Sequence, residues 1–169
     1  DGSALEYADV SLQKDREVVL SAVNTNGCSL VHADKLFQKD KDVVLVAVHN
    51  NGYAFRYVDD CLKNDEEVVN HALAHDVSLI EYAGLEFQLK HREILYKAMQ
   101  RNHHLFRHLG PSLKKDKEIA LRAVRGCACV YQDADHSIRG DFDIVEEALK
   151  TNRSNIRNVP DSTFIKLNL

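Results

Sequence analysis

The chain has no tryptophan, a single methionine (Met99) and two prolines among 169 residues. So little proline excludes a proline-rich linker. No apolar run approaches the ~20 residues a membrane helix needs. The N-terminal stretch lacks the charged and apolar blocks of a signal or transit peptide. Cysteine is also sparse: Cys28, Cys61, Cys127 and Cys129 do not make the dense framework of a small secreted domain and are expected as reduced thiols in an intracellular, cytoplasmic protein. No G-x-S-x-G, phosphate loop or Rossmann glycine pattern occurs, and Ser21, Ser29 and Ser112 stand beside no base in a motif context. The chain is therefore expected to be non-catalytic and without a cofactor. With Asp1 first and Met99 the lone methionine, it is expected to be part of a longer protein.

What is present is repetition. The run from Asp15 to Val23, DREVVLSAV, aligns with DKDVVLVAV from Asp40, DEEVVNHAL from Asp65, HREILYKAM from His91, DKEIALRAV from Asp116 and DFDIVEEAL from Asp141. The shared alanines fall at 22, 47, 72, 98, 123 and 148, with spacings of 25, 25, 26, 25 and 25 residues. A fixed period of this length marks a repeat architecture.

Each unit reads as two short helices. The first opens at the Asp, whose carboxylate can accept a backbone N–H of the first turn, and an acid two residues on complements the helix dipole. Apolar residues follow at helical spacing, as Val18, Ala22 and Val23 do in the first copy. The small alanine lets neighbouring helices approach. Asn26-Gly27 and Asn51-Gly52 read as helix stops with the glycine left-handed, and Gly126 as a displaced stop. The second helix carries paired apolar marks: Leu30 and Ala33, Phe55 and Val58, Ile80 and Ala83, Phe106 and Leu109, Tyr131 and Ala134, Ile156 and Val159. A further apolar residue such as Phe37 or Leu113 covers a turn into the next Asp.

One unit cannot bury its apolar stripe, but stacked units can. The expected fold is all-α: a single α-solenoid domain of about six two-helix repeats, a curved rod. Its parts are a partial repeat over 1–14, repeats 15–39, 40–64, 65–90, 91–115, 116–140 and 141–159, and a C-terminal cap over 160–169.

The pattern D-x-[DE]-[VI]-V-L-x-A-V-x-x-N-G-x-x-L-x-x-A, carried best by Asp15–Gly27 and Asp40–Gly52, resembles the repeat family catalogued as domain of unknown function 4116. The resemblance covers about residues 1–159 and weakens from His91, where the leading Asp is lost and one residue is inserted. It implies the repeat fold; the family has no established activity, so it implies no catalytic residues.

Three sets of residues could bind something. The position two after the first helix-two mark reads Tyr7, His32, Tyr57, Tyr82 and His108, a column of rings that either packs along the array or offers a stacking surface to a peptide or bases. Charge is divided. Residues 1–89 carry −9, residues 90–125 carry +7 and residues 126–169 carry −2. The basic stretch includes Arg101, Arg107, Lys114, Lys115 and Arg122 and favours an acidic or phosphorylated partner. His71 with His75, and His104 with His108 beside His103, have the i, i+4 spacing of zinc ligands, but no further ligand completes a signature. Cys127-Ala128-Cys129 is likewise incomplete as a metal site, so none is assigned.

The leading expectation is a monomeric scaffold for another protein or peptide, without membrane contact. RNA or a phosphorylated ligand on 90–125 is the alternative, although the net charge of −4 opposes tight non-specific nucleic-acid binding.

Overall fold

The computed structural model describes residues 2–160 and Thr163, the side chain of Ile156 excepted. The described residues are helical, with no strand. They form two compact units, one ending at His91 and one starting at Arg92. The division falls where the sequence loses the leading Asp and gains a residue. There the short helix Leu85–Lys90 has six residues rather than the usual three or four.

In each repeat a ten-residue α-helix opens the unit: Arg16–Thr25, Lys41–Asn50, Glu66–His75, Arg92–Arg101, Lys117–Gly126 and Phe142–Thr151. The second helix is a six-residue 3-10 helix, as in Gly27–His32 and Gly52–Tyr57. The segment expected as a turn is a third, short helix, such as Lys35–Gln38. Within the first unit, Arg16–Thr25, Lys41–Asn50 and Glu66–His75 pack side by side, and the 3-10 helices form a second layer beneath them. The second unit repeats this with Arg92–Arg101, Lys117–Gly126 and Phe142–Thr151.

Two caps explain where the helices begin. Asp15, Asp40, Asp65 and Asp116 each accept two backbone N–H groups of the following turn, and Asp141 accepts one. The Asn of Asn-Gly is a second N-cap. Asn26 and Asn51 are extended, with φ −144° and −147°, and their side chains accept the N–H of Cys28 and Tyr53. They start the 3-10 helix instead of marking a left-handed stop. Gly27 is the first residue of that helix and is not left-handed. It is needed for another reason: a Cβ there would fall on the carbonyl oxygen of Ala47 in the next repeat. Close approach fixes this glycine, not the turn.

Most of the predicted apolar marks are buried, while Val18 and Ala22 of the first repeat are half-buried and Val19 lies inside. Leu30, Phe55, Ile80, Phe106 and Tyr131 of the 3-10 layer are fully buried, as are Ala47, Ala72, Ala98, Ala123 and Ala148. Each large aliphatic residue buried in this way contributes about 1.5–3 kcal/mol. The Tyr131 hydroxyl donates to the Arg139 carbonyl at 2.7 Å, and burial pushes its pKa up to about 12.

Polar bonds then join the pieces. After five of the 3-10 helices a side chain reaches back to a carbonyl at or just past the helix end: Gln13 to Leu5, Gln38 to Leu30, Gln88 to Ile80 and Ala83, Lys114 to Arg107, Arg139 to Ala134. Such groups would otherwise lack partners at a helix end. Single backbone bonds cross between repeats, from Asp34 N–H to Gln13 O, Asp59 to Gln38, Gly84 to Lys63 and Asp135 to Lys114.

A cation one residue past the cap crosses the same junction. Arg16 reaches Asp40 and Asp42 at 3.5 Å, Lys41 reaches Asp65 and Glu67 at 2.9 Å, and Lys117 reaches Asp141 at 2.9 Å and Asp143 at 2.7 Å. Arg92 pairs with Asp116. The expected C-terminal cap lies mostly outside the described residues; of it, Pro160 and Thr163 are described, and Thr163 donates to the Gly140 carbonyl at 3.3 Å.

The Lys41 ammonium and the capped N–H groups hold the Asp65 carboxyl below the usual carboxylate range. Asp65→Ala is expected to cost about 1–2 kcal/mol at neutral pH. A folded-state pKa below the unfolded one stabilises fully above the unfolded value and loses that contribution as pH falls through the folded value. The difference between wild type and Asp65→Ala in urea midpoint should therefore shrink as pH falls below about 4.

Candidate binding cleft

A groove recurs on the outer side of the long helices where one repeat meets the next. In the first unit it is a hollow of about 350 Å³ lined by Asn24, Leu45, Val46, His49, Asn50 and His71. In the second unit the matching positions make a larger cleft, about 500 Å³, lined by Tyr96, Met99, Gln100 and His103 from one repeat and by Glu118, Leu121, Arg122, Arg125 and Gly126 from the next.

The difference traces to one position, the last residue of the long helix. Asn50 there seals the junction: it accepts the Gly27 N–H at 2.7 Å and donates to the Asn24 carbonyl at 2.8 Å. His75, one repeat on, lies 3.2 Å from the His49 carbonyl. Gly126 occupies this position in the later repeat and has no side chain to reach back. The space goes to His103, whose ring stands where a Gly126 Cβ would be. Gly126 is thus the last helical residue, not a displaced stop, and Cys127 takes the cap position held by Asn26, Asn51, Asp76 and Asn102. Cys127 Sγ accepts the Cys129 N–H at 3.3 Å. Cys127 and Cys129, expected as thiols, are joined in a disulfide, whereas Cys28 and Cys61 are free.

The charged residues that line the cleft, Glu118, Arg122 and Arg125, come from the later repeat. The Arg122 guanidinium lies 4.0 Å over the Tyr96 ring and bonds Glu118 at 3.2 Å. Arg125 reaches Glu147 at 3.5 Å. The Tyr96 hydroxyl is buried without a hydrogen-bond partner; burial, then the Glu118 charge, raise its pKa. Lys97 and Arg101 are exposed one turn apart on the same helix.

The structure divides the expected basic set. Arg101 and Arg122 lie on long helices, with Arg122 in the cleft. Arg107, Lys114 and Lys115 belong to the 3-10 helix His103–His108 and the segment after it. Arg107 reaches Asp133 at 3.7 Å, and Lys114 is spent on the Arg107 carbonyl. Sequence reading missed Tyr96, Gln100 and Arg125 as a set; the glycine at 126, against Asn50 and His75 at the same register, is the signal that finds them.

The ring column does not stack. Arg56 lies 6.0 Å from the Tyr57 ring and 5.4 Å from the Tyr82 ring, and donates to the Tyr82 hydroxyl at 2.9 Å. Glu6 lies 4.0 Å from His32. Tyr7 and His108 are exposed. Polar bridges join the residue before three of the rings to the next repeat: Glu6 to His32, Arg56 to Tyr82 and Arg107 to Asp133.

The histidine pairs separate as well. His71 meets the His49 ring edge-on at 5.8 Å, and His75 turns to the His49 carbonyl. His103 faces Gly126, and His104 and His108 are exposed. Among the described residues no three ligating groups converge on a metal position. Among them, too, no helix is long and apolar enough to cross a membrane.

Comparison with known proteins agrees with this architecture. A family model described as domain of unknown function, DUF4116, matches residues 1–38, 40–88, 91–135 and 116–163. The chain belongs to the DUF4116 family. Each longer DUF4116 match spans two of the three-helix units, and the second and third matches lie on either side of the division at His91. No curated protein and no solved structure matches the chain.

Two measurements check the cleft. Gly126→Asn alone is expected to destabilise by about 1–3 kcal/mol, because its Cβ overpacks His103; the double change His103→Gly with Gly126→Asn, which recreates the Gly27–Asn50 pair, should recover most of that. Tyr96→Phe should be neutral or stabilising by up to about 1 kcal/mol in urea unfolding, since it removes a buried hydroxyl that has no partner.

Proposed function

We propose that the chain is a non-catalytic interaction module that receives an acidic segment of another protein on the long-helix face of its second unit. One observation carries this reading: where Gly126 stands in place of Asn50 the cleft is larger than the hollow of the first unit, and two cations lie in its wall. Arg122 and Arg125 line it, and Lys97 and Arg101 are exposed on the neighbouring helix. Lys97 and Arg101 have no ion-pair partner among the described residues, so a ligand carboxylate would not have to displace one.

The chemistry suits carboxylates. A guanidinium binds them in a fork geometry, and the low-dielectric wall made by Met99, Leu121 and the Tyr96 ring strengthens each charge pair. The fused basic run of the sequence is less of a patch than it looks, since Arg92, Arg107 and Lys117 are engaged across repeat junctions. That favours a short acidic segment over a long nucleic-acid backbone.

Fluorescence anisotropy with a labelled Asp/Glu-rich peptide and with a single-stranded RNA checks the proposal. The peptide should bind at low ionic strength and weaken as salt screens the charges. The pair Lys97→Glu with Arg101→Glu should weaken it at least about tenfold with little change in stability. Preference for the RNA would favour the nucleic-acid alternative, and absence of both would remove the acidic-partner reading.

A further inference from the structure

The chain has four cysteines, and the repeat itself decides which of them can pair. Cys28, Cys61 and Cys129 each stand two residues after a helix cap. The cap is Asn26 for Cys28 and Asp59 for Cys61, and both of these thiols are free. Only Cys129 follows a cap that is itself a cysteine, and it is joined to that cap, Cys127.

The disulfide uses a geometry that the array makes repeatedly. Asn26, Asn51, Asp76, Asn102 and Cys127 start their 3-10 helices with φ between −139° and −151° and ψ between 95° and 120°. In each, the cap side chain accepts the N–H two residues on, at 2.8–3.3 Å. The side chain two residues on can touch the cap as well: Ser154 Oγ donates to Asn152 Oδ1 at 2.7 Å. Thiols at those two positions bring two sulfurs together. The backbone at Cys127 is the one that four uncrosslinked caps adopt, so the S–S bond can open without a change of fold.

A purely structural role fits poorly. The bond joins residues two apart in sequence and ties no repeat to another. So small a ring constrains the unfolded chain far less than a long loop does. Packing at this place comes from Ala123, Val124, Val130 and Tyr131, which are completely buried. Cys127 and Cys129 are only half-buried, and Gly126 before them is exposed, with no side chain to screen the sulfurs.

We propose that Cys127 and Cys129 form a reversible dithiol–disulfide couple that exchanges with low-molecular-weight thiols while the array stays folded. In the reducing direction a thiolate RS⁻ attacks one sulfur of the pair. The S–S bond breaks, and the other sulfur leaves as a thiolate and takes up a proton. A second RS⁻ attacks the mixed disulfide, releasing RSSR and the second cysteine thiolate, which is protonated in turn. Two RSH are thereby oxidised to RSSR, and their two electrons and two protons pass to the pair. The Cys129 N–H, donating to Cys127 Sγ at 3.3 Å, favours negative charge on that sulfur. The couple is independent of the acidic-partner proposal, since no ligand of the cleft takes part in the exchange.

Glutathione buffers test it. The whole chain is equilibrated with mixtures of reduced and oxidised glutathione, quenched with an alkylating reagent and read by peptide mass. Cys127 and Cys129 should pass from disulfide to two thiols as the mixture becomes more reducing. At constant composition, about tenfold dilution of the buffer should move the disulfide-to-dithiol ratio about tenfold toward disulfide, because two thiols are consumed for each disulfide released. Reduction by dithiothreitol should run at a rate proportional to its concentration, and both redox forms should unfold at nearly the same urea concentration. Cys127→Ser, whose hydroxyl keeps the cap, should stop at a glutathione mixed disulfide on Cys129, in an amount that dilution at constant composition leaves unchanged. The proposal is overturned if the unaltered chain is likewise unmoved by dilution, or if the pair stays in one form through every buffer. A reduction rate independent of dithiothreitol concentration would also overturn it, because the sulfurs would then be reached only after unfolding.

Discussion

A ten-residue helix cannot persist alone in water, so everything here depends on both of its aliphatic edges being covered, one by the repeat before and one by the repeat after. The 25-residue period is the sequence form of that requirement. Every register position must return to the same place for Ala47, with no room beyond its methyl, to sit opposite the 3-10 helix beginning at Gly27. A one-residue error would turn the apolar stripe by about 100°. The one insertion, before His91, coincides with the division of the chain into two compact units.

The polar groups serve the same constraint. The helices are short, so a large share of their backbone groups are terminal. The chain satisfies them with a fixed kit: an Asp cap for the long helix, an Asn or Asp cap for the 3-10 helix, a Gln, Lys or Arg reaching back to the last 3-10 carbonyls. Where the kit varies, a neighbour compensates. Gly84 has no capping side chain, and Asn64 Oδ1 of the preceding repeat accepts the Phe87 N–H at 3.1 Å instead. The exposed ion pairs across junctions add little energy each, but they oppose wrong register because Asp40, Asp65, Asp116 and Asp141 each meet a cation from one repeat earlier.

The second unit departs from the repeat at Gly126, which cannot make the bond that Asn50 makes. His103 takes the space beside it, and the cleft there is larger than the hollow of the first unit. The two cations in its wall are themselves paired, Arg122 with Glu118 and Arg125 with Glu147.

Much of the fold was legible in the residues. The alanine column, the Asp caps and the paired apolar marks of the second helix give the helical repeat directly, because burial and capping act within a few residues of the chain. The wrong or incomplete readings concern contacts between repeats. Asn-Gly is ambiguous locally, since a helix stop and a 3-10 start use the same residue types; only the Ala47 carbonyl beside Gly27 decides it. The ring column was visible, but not Arg56 bridging Tyr57 and Tyr82. The basic run 90–125 is one block in sequence and two layers in space, with Lys114 turned to a backbone carbonyl and Arg122 in a cleft. The sequence by itself determined the repeat, its period and which residues lie inside, because those follow from local propensity and periodic burial. Which side chains meet across a junction was decided only by the tertiary structure, because it depends on distances between residues some 25 positions apart that no local pattern encodes.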